Sequence, residues 1–357
     1  MSESDGTADK TVAVREEDAF DVAAAHEWLA ARVDGLPADP PEVRQFPGGA
    51  SNLTYLLRYP GRDLILRRPP AGHKAASAHD MRREYRVQAG LRPVFPYVPT
   101  MLAFCEDHAV LGGDFYVMEQ LDGLILRRDL PPGLELGESR ARELSTGLID
   151  RLVELHQVDV SAAGLDDLGK GAGYVRRQVD GWIDRYGRAR TENVPEFTRV
   201  IEWIRAHTPP DVAICLIHND FRFDNVVLRG ADDLRVAGVL DWEMATLGDP
   251  LMELGSTLSY WVQADDDEIF TATRRQPTHL PGMLTRTEVV EHYARRTGTP
   301  VDDWIFYEVF GLFRYAGIIQ QLYYRYHHGQ TTNERFADYW QFVCYLEARC
   351  ERLLGLA

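Results

Sequence analysis

Three polar residues, Asp220, Asn225 and Asp241, follow short apolar runs at a spacing suited to metal-assisted phosphoryl transfer. That reaction needs a carboxylate facing the acceptor hydroxyl and oxygen ligands for magnesium on a triphosphate. Magnesium is typically held by one or two carboxylates together with substrate phosphates. We therefore predict Asn225 and Asp241 as metal ligands, and Asp220 as the group that orients the hydroxyl and takes its proton.

Two neighbours of Asp220 complete the predicted catalytic set. His218 lies two residues before it and is expected to brace the loop, and Arg222 lies two residues after it. An alternative is that these are ordinary turn residues, because Asp and Asn hydrogen-bond their own backbone and tolerate unusual dihedral angles. That alternative accounts for Asn225 taken alone but not for the whole set.

Short buried strands must position these residues. The apolar runs Ala213 to Ile217 and Val226 to Leu228 predict a strand on each side of the loop. A third predicted strand, Leu234 to Leu240, ends next to Asp241. With both flanks pinned in the interior, the loop can present its polar residues from a rigid scaffold.

The loop and the segment after the third strand resemble the aminoglycoside phosphotransferase family of the protein-kinase-like superfamily. The catalytic loop of that family reads His-x-Asp-x-x-x-x-Asn, and its metal-binding segment begins with Asp. His218, Asp220, Asn225 and Asp241 match both patterns, and Gly248-Asp249-Pro250 is similar to the extension that follows. The resemblance covers most of the chain and implies ATP and Mg²⁺ as cofactors and an alcohol group as acceptor.

The resemblance also implies an α+β, two-lobed protein-kinase-like fold with a small β-rich N-terminal lobe and a larger helical C-terminal lobe. The order of elements favours the same class, because strands concentrate before about residue 121 and helices follow. We predict a disordered arm at 1–15, a nucleotide-binding lobe at 16–121 and a catalytic and substrate-binding lobe at 122–357. The predicted helices are Asp18 to Val33, Glu138 to Val158, Tyr174 to Gly187, Phe197 to His207, Pro250 to Val262, Arg286 to Thr297, Trp304 to His328 and Glu334 to Leu354.

Phosphate contacts are predicted from the first lobe. A glycine turn that includes Gly48, Gly49, Ser51 and Asn52 precedes an alternating strand, and backbone N–H groups in such turns bind anions. Glycine turns also join strands in many proteins, so this feature alone is weak. A second strand, Asp63 to Arg68, ends where the resembling family usually carries a lysine that contacts the α- and β-phosphates.

Arg67 occupies that lysine position in this sequence, with Arg68 as the competing candidate. Arginine keeps the positive charge, but its planar fork differs from the compact ammonium of lysine. The helix partner of Arg67 would be Glu84, although a surface glutamate flanked by arginines is an equally simple interpretation. The strand Phe115 to Leu121, after a hairpin near 110–113, resembles the interlobe connector, so Glu119 and Leu121 are predicted to contact adenine through main-chain groups.

Composition limits the class of partner. The chain has 357 residues and a formal net charge of −16, and its pI is near 5.1, so it lacks the basic footprint of a nucleic-acid-binding protein. No apolar run is long enough to suggest a membrane span, and the polar start predicts no secretory signal, which favours a cytoplasmic protein. The four scattered cysteines predict free thiols. Asp265 to Glu268 is expected to be an exposed loop or helix start.

Several alternatives stay open. A protein kinase of the eukaryotic type is disfavoured, because the full glycine loop and its companion signatures are absent. Segments such as Leu66 to Pro70 and Arg325 to Thr331 resemble the subgroup related to kinase domains fused to acyl-CoA dehydrogenases, which implies a hydroxyacyl-CoA as one acceptor. Arg67 in place of lysine allows a catalytically weak, nucleotide-binding pseudokinase, and His218, Asp220 and Asp241 allow a metal hydrolase. The acceptor and the oligomeric state remain undetermined by the sequence.

Overall fold

The computed structural model of the protein describes residues 11–47, 52–70 and 80–356. The predicted phosphate contacts Gly48, Gly49 and Ser51, and residues 1–10 of the predicted arm, lie outside these ranges. The chain divides into two compact units. The first unit contains 1–126, 159–165 and 224–245, and the second contains 127–158, 166–223 and 246–357.

A five-stranded antiparallel sheet forms the centre of the first unit, in the order β1-β2-β3-β5-β4. Its strands are β1 (Glu42–Gln45), β2 (Leu53–Tyr59), β3 (Arg62–Arg68), β4 (Met101–Cys105) and β5 (Phe115–Glu119). Three helices accompany it: α1 (Val22–Ala30), α2 (Met81–Leu91) and the short α3 (His108–Leu111).

The sheet of the first unit has an apolar cluster on each face. Side chains alternate along a strand, so Leu64 and Leu66 of β3 join one cluster and Ile65 joins the other. The second cluster also holds Met81 of α2 and Tyr116 of β5. This alternation sends Arg67 to the α2 side of the sheet and Arg68 to the opposite side.

Two small antiparallel pairs use the strands around the predicted catalytic loop. In the first unit β7 (Val226–Leu228) pairs with β8 (Val236–Val239), and in the second unit β6 (Cys215–Ile217) pairs with β9 (Thr246–Gly248). The strands flanking the loop, β6 and β7, therefore have different partners. The predicted strands were correct in place, and their partners lie about 30 positions further along for β6 and about 10 for β7.

The second unit is mainly helical. Its helices are α4 (Glu138–His156), α5 (Tyr174–Ala189), α6 (Thr198–Ala206), α7 (Pro250–Leu258), α8 (Glu268–Ala272), α9 (Arg286–Thr297), α10 (Trp304–His327) and α11 (Tyr339–Leu353). The backbones of α7 and α10 come close together, because a Cβ added at Gly311 would overlap the carbonyl oxygen of Gly255. The buried helix α10 thus lies against α7 at the centre of the unit.

Several predicted element boundaries shift. The first helix is shorter than predicted, because Asp21 caps it by accepting a hydrogen bond from the Ala24 N–H. The predicted hairpin near 110–113 contains the helical turn α3, which ends at Gly112 with a φ of 80°. Val12, within the predicted arm, forms a β-bridge with Gln45. Within the described residues, no helix is both long and apolar enough to cross a membrane.

Candidate active site

An ion-pair network around the buried Glu84 joins three predicted site residues of the first unit. Arg67 Nη1 binds Glu84 Oε1, and Arg67 Nη2 lies 3.6 Å from Asp241 Oδ1. The side chain of Glu84 is 2% exposed and that of Arg67 is 11% exposed. The alternative interpretation of Glu84 as a surface glutamate is therefore wrong. Arg67 connects α2 to the predicted metal-binding segment.

The competing residue Arg68 lies on the other face of β3. Its Nη2 donates to the carbonyl oxygen of Asp18 at 2.8 Å, and its Nε donates to the Tyr55 hydroxyl at 3.4 Å. These contacts hold the segment at Asp18 against the sheet. Of the two arginines, Arg67 is the one beside Glu84 and Asp241.

Burial and charge act in opposite directions on this network. Burial lowers the pKa of Arg67, but Tyr116, Glu84 and Asp241 outweigh it and leave the pKa above its ordinary value. Burial likewise raises the pKa of Glu84, and Arg67 opposes that rise. Arg67 therefore remains a cation, and its charge is available to a phosphate group.

The β7–β8 pair brings Asn225 and Asp241 to the same end of one ribbon. Val226 pairs with Val239, and the Leu240 N–H donates to the Asn225 carbonyl oxygen at 2.8 Å. Asn225 is the next residue on one strand, opposite Leu240, and Asp241 follows Leu240 on the other. Their predicted proximity thus follows from the register of two antiparallel strands.

Asp241 is suited to a hard cation. Its Oδ1 is buried and, apart from the ion pair with Arg67, has no hydrogen-bond partner in the described part of the chain. Across that same part, no group of three or more His, Cys, Asp or Glu residues is arranged to hold a metal. A site with one carboxylate and one amide oxygen is compatible with Mg²⁺, because substrate phosphates and water supply the remaining ligands.

The backbone at Asp241 is left-handed, with φ 66°, which is uncommon for a residue other than glycine. Neighbouring contacts hold the turn. Arg83 of α2 donates to the carbonyl oxygens of Glu243 and Ala245, the first at 3.1 Å, and Asn52 Nδ2 donates to Glu243 Oε2 at 3.3 Å. The predicted phosphate residue Asn52 is thus tied to the predicted metal-binding segment.

The connector after β5 lies against the β7–β8 ribbon. Leu124 forms a β-bridge with Leu228, and the side chain of Leu121 covers Gly238, where an added Cβ would overlap it. The Glu119 N–H donates to the Thr100 carbonyl oxygen at 3.0 Å. An adenine contact at Glu119 would therefore use its carbonyl oxygen.

Residues 218–223 of the predicted catalytic loop belong to the second unit. Arg222 holds both carboxylate oxygens of Asp220, with Nε 2.9 Å from Oδ1 and Nη2 3.0 Å from Oδ2. The Arg222 guanidinium also stacks 4.7 Å from the ring centroid of Tyr260. Gln276 accepts the Phe223 N–H at 2.9 Å and donates to the Tyr260 carbonyl oxygen at 3.2 Å. The orientation of Asp220 is thus fixed by neighbours within its own unit.

His218 is fully buried, and its Nδ1 accepts the Asp220 N–H at 3.2 Å, a contact within the predicted catalytic loop. Below it, Glu253 of α7 accepts the N–H groups of His218, at 3.0 Å, and of Asn219. Glu253 Oε2 also lies 2.8 Å from His156 Nε2. A buried carboxylate therefore anchors the loop backbone.

Sequence reasoning missed Glu253, Glu243 and Tyr116. Only Glu253 carried a local signal, because it lies one helical turn after Asp249, which caps α7 by accepting the N–H groups of Leu251 and Met252 at 2.9 and 3.0 Å. Glu243 and Tyr116 act through contacts with residues far away along the chain. No periodic pattern distinguishes them from ordinary core or turn residues.

Comparison with known proteins gives a consistent result. The profile of the family described as "Phosphotransferase enzyme family" matches residues 42–288. Acyl-CoA dehydrogenase family member 10 of Mus musculus is 38% identical over 296 residues, which are 82% of this chain and 27% of that protein. The chain spans less than half the length of the curated relatives it matches.

Solved structures confirm the predicted α+β, two-lobed protein-kinase-like fold. A putative aminoglycoside phosphotransferase from Ralstonia eutropha is 31% identical, with a TM-score of 0.80, and the match covers 94% of this chain and 99% of that chain. The aminoglycoside phosphotransferase APH(4)-Ia, solved with AMP-PNP and hygromycin B, shares the fold at a TM-score of 0.56 and 15% identity, over 94% of this chain and 98% of that one.

Proposed function

Because the chain belongs to the phosphotransferase enzyme family, we propose that it transfers the γ-phosphate of ATP, with Mg²⁺, to a hydroxyl group of a small molecule. The observation that carries the proposal is the network in which Arg67 joins the buried Glu84 to the partly exposed Asp241, near Asn225 at the end of the β7–β8 ribbon. A cation and two oxygen ligands at this place suit a triphosphate and its metal.

In this proposal the first unit holds the nucleotide. Arg67 contacts the α- and β-phosphates, Asn225 and Asp241 hold Mg²⁺, and the Glu119 carbonyl and Leu121 main chain bind adenine. Bound Mg²⁺ would neutralise negative charge on the phosphates. Gly48, Gly49 and Ser51 remain predicted phosphate contacts from the sequence, together with Asn52.

The second unit supplies the acceptor chemistry. Asp220 accepts a hydrogen bond from the substrate hydroxyl and aims its oxygen at the γ-phosphorus. It takes the proton as that oxygen bonds to the γ-phosphorus, while the bond from the γ-phosphorus to the oxygen of the β-phosphate breaks and ADP leaves. Arg222 keeps the Asp220 carboxylate in one orientation, and His218 braces the loop. Correct orientation matters, because a misplacement of about 1 Å can cost about a hundredfold in rate.

A specific observation favours a hydroxyacyl-CoA, or another negatively charged alcohol, over a polycationic aminoglycoside. The Arg222 guanidinium lies 4.7 Å from the ring centroid of Tyr260, and Arg314 donates to the Asn219 carbonyl oxygen at 3.1 Å, so two guanidinium groups lie beside Asp220 and its neighbours. Of the described carboxylates, none forms an ion pair with Arg275 or Arg314. Positive charge beside Asp220, in a chain of net charge −16, suits an anionic acceptor.

The pseudokinase alternative is less well supported. A protein that only binds nucleotide needs no carboxylate beyond the metal ligands, yet Asp220 is held by a bidentate arginine in a braced loop. The hydrolase alternative requires His218 to bind or activate water, but this side chain is fully buried. Phosphoryl transfer to a hydroxyl gives a role to Asp220 and its supporting residues as well as to the proposed metal ligands.

The decisive experiment measures ADP release from Mg-ATP by the purified protein with aminoglycosides, hydroxyacyl-CoAs, choline-like alcohols and sugars. We expect turnover with at least one acceptor and a loss of at least about a hundredfold in Asp220→Asn. Asp241→Asn should also lose Mg²⁺-dependent ATP affinity, measured by calorimetry. Asp220→Asn should keep that affinity, because of these two residues Asp241 is the one proposed to hold the nucleotide and its metal.

Asp232→Asn is the matched control, since Asp232 is an exposed carboxylate in the turn between β7 and β8. It should retain both activity and ATP affinity. Turnover at the wild-type rate by Asp220→Asn would contradict the assignment of the base. Tight ATP binding without any turnover across the panel would favour the pseudokinase.

A further inference from the structure

Asn219, the residue before the predicted base, has a left-handed backbone with φ 68°. Such a conformation is costly for a residue with a Cβ, although asparagine tolerates it better than most. Conformations of this kind persist only where the surroundings enforce them, and they concentrate at functional sites. The structure shows what enforces this one.

Three side chains of the second unit grip Asn219 at three different atoms. Glu253 of α7 accepts its N–H, Arg314 of α10 donates through Nη2 to its carbonyl oxygen at 3.1 Å, and Tyr174 of α5 donates to its Oδ1 at 3.3 Å. All three are buried, with exposures of 1%, 8% and 6%. The contacts therefore come from three helices and leave little freedom at this residue.

The position of the Arg314 side chain is itself fixed by its neighbours. Its guanidinium lies 5.3 Å from the ring centroid of Trp182, and among the described residues its hydrogen bond goes to the Asn219 carbonyl oxygen. Burying an arginine whose hydrogen bond goes to a backbone carbonyl is expensive without compensation. The cost is understandable if the contact fixes the peptide that leads into Asp220.

We propose that Glu253, Arg314 and Tyr174 form a clamp that holds Asn219 left-handed and thereby aims the Asp220 carboxylate. The three are positioning residues, since they act through Asn219 rather than on the reacting atoms. The inference rests on the proposed function only in taking Asp220 as the base. Loss of the clamp should lower kcat and leave the KM for ATP unchanged, because the nucleotide set lies in the first unit.

A double-mutant cycle tests this idea, since glycine adopts a left-handed backbone without a Cβ penalty. ADP release from Mg-ATP would be measured with the panel acceptor that gives the highest rate. Arg314→Gln should lower kcat about tenfold in the natural background and by less than about threefold in the Asn219→Gly background. Tyr174→Phe should show a smaller loss with the same rescue.

Arg349→Gln is the matched control. The Arg349 side chain is 12% exposed and stacks 4.2 Å from the ring centroid of Phe270, and among the described residues its ion pairs go to Asp266 and Asp267 and not to the catalytic loop. It should cost stability and leave kcat unchanged. An equal loss of kcat in Arg349→Gln, or an equal loss for Arg314→Gln in both backgrounds, would overturn the clamp.

Amide hydrogen exchange separates this result from a failure of the proposed function. Exchange in the segment 216–223 should rise at least about tenfold in Arg314→Gln and stay at the wild-type rate in Arg349→Gln. This measurement needs no turnover. If the wild-type protein transferred no phosphate, the proposed function would be wrong, but the exchange rates would still test whether the clamp holds Asn219. Unchanged exchange in Arg314→Gln would contradict the clamp.

Discussion

At the scale of single residues, one arginine has two roles in the predicted site. Arg67 satisfies Glu84 and Asp241 together, so one guanidinium neutralises a buried glutamate and orients a predicted metal ligand. A lysine ammonium is a point charge, and it cannot present a planar fork to two carboxylates. The substitution of arginine at this position is therefore consistent with an intact site.

This geometry predicts different results for Arg67→Lys and Arg67→Met. Arg67→Met leaves Glu84 buried without its cation, so we expect a loss of about 3 kcal/mol or more in stability and a large loss of ATP affinity. Arg67→Lys keeps the charge and should weaken ATP binding by about tenfold or less. Thermal unfolding and calorimetry with Mg-ATP would measure both effects.

Arg68→Lys is the control for these variants, because Arg68 lies on the other face of β3. It should change stability and leave ATP affinity at the wild-type value. Unchanged ATP affinity in Arg67→Met would show that another group contacts the phosphates.

At the scale of elements, the site depends on pairings between short strands. β7 and β8 bring Asn225 beside Asp241, and the connector that follows β5 lies on the same ribbon through the Leu124 to Leu228 bridge. Gly123 makes this approach possible, because it has φ 154° and an added Cβ would overlap the Leu228 carbonyl oxygen. The predicted adenine and metal positions are thus linked by backbone contacts.

We therefore expect Gly123→Ala to displace the connector from β7. Nucleotide affinity should fall at least about tenfold, and the unfolding temperature should fall as well, because the overlapping atoms are backbone and cannot rotate away. Gly113→Ala serves as the comparison, since nothing lies within 4 Å of a Cβ there. Binding of Mg-ATP by calorimetry decides between them, and equal affinities would exclude a role for the close approach.

At the scale of the whole molecule, the described nucleotide residues all fall in the first unit and the predicted catalytic residues fall in the second. The second unit is held together in part by a buried acid that was predicted to be exposed. The side chain of Asp266 is 3% exposed and pairs with Arg286 of α9 at 2.6 Å and Arg349 of α11 at 2.7 Å. The acidic run 265–268 therefore contains a structural ion-pair centre beside a helix start.

This centre predicts a pH-dependent stability. Burial raises the pKa of Asp266, but hydrogen bonds from Arg286, Gln263 and Arg349 outweigh burial and leave the pKa below its usual range. A carboxyl whose pKa is depressed by folding stabilises the protein above its unfolded pKa, near 4, and loses that contribution as the pH falls through the folded value.

Asp266→Asn should therefore lower the unfolding temperature at pH 7, by an amount that shrinks as the pH falls below about 4. The neighbouring carboxylate Asp265 is exposed, so Asp265→Asn should have little effect at either pH. Scanning calorimetry from pH 7 to pH 3 measures the difference. A constant gap between wild type and Asp266→Asn over this range would contradict the assignment.

The sequence by itself determined the residue types and spacing of the catalytic set, the fold class and most helices. These features are local: His218, Asp220 and Asn225 lie within eight residues, and amphipathic periodicity marks a helix such as Arg286–Thr297 without reference to the rest of the chain. The family resemblance rested on the same local motifs.

Only the tertiary structure decided which arginine faces the site, which strands pair, and what holds the loop. Arg67 and Arg68 are adjacent in sequence, and the alternation of β3 separates them onto opposite faces. Glu253 and Arg314 reach Asn219 from 34 and 95 positions away. Contacts across such separations leave no periodic signal in the sequence. The apolar residues of a helix predict that the helix forms, but they do not predict which distant residue one of its polar side chains contacts.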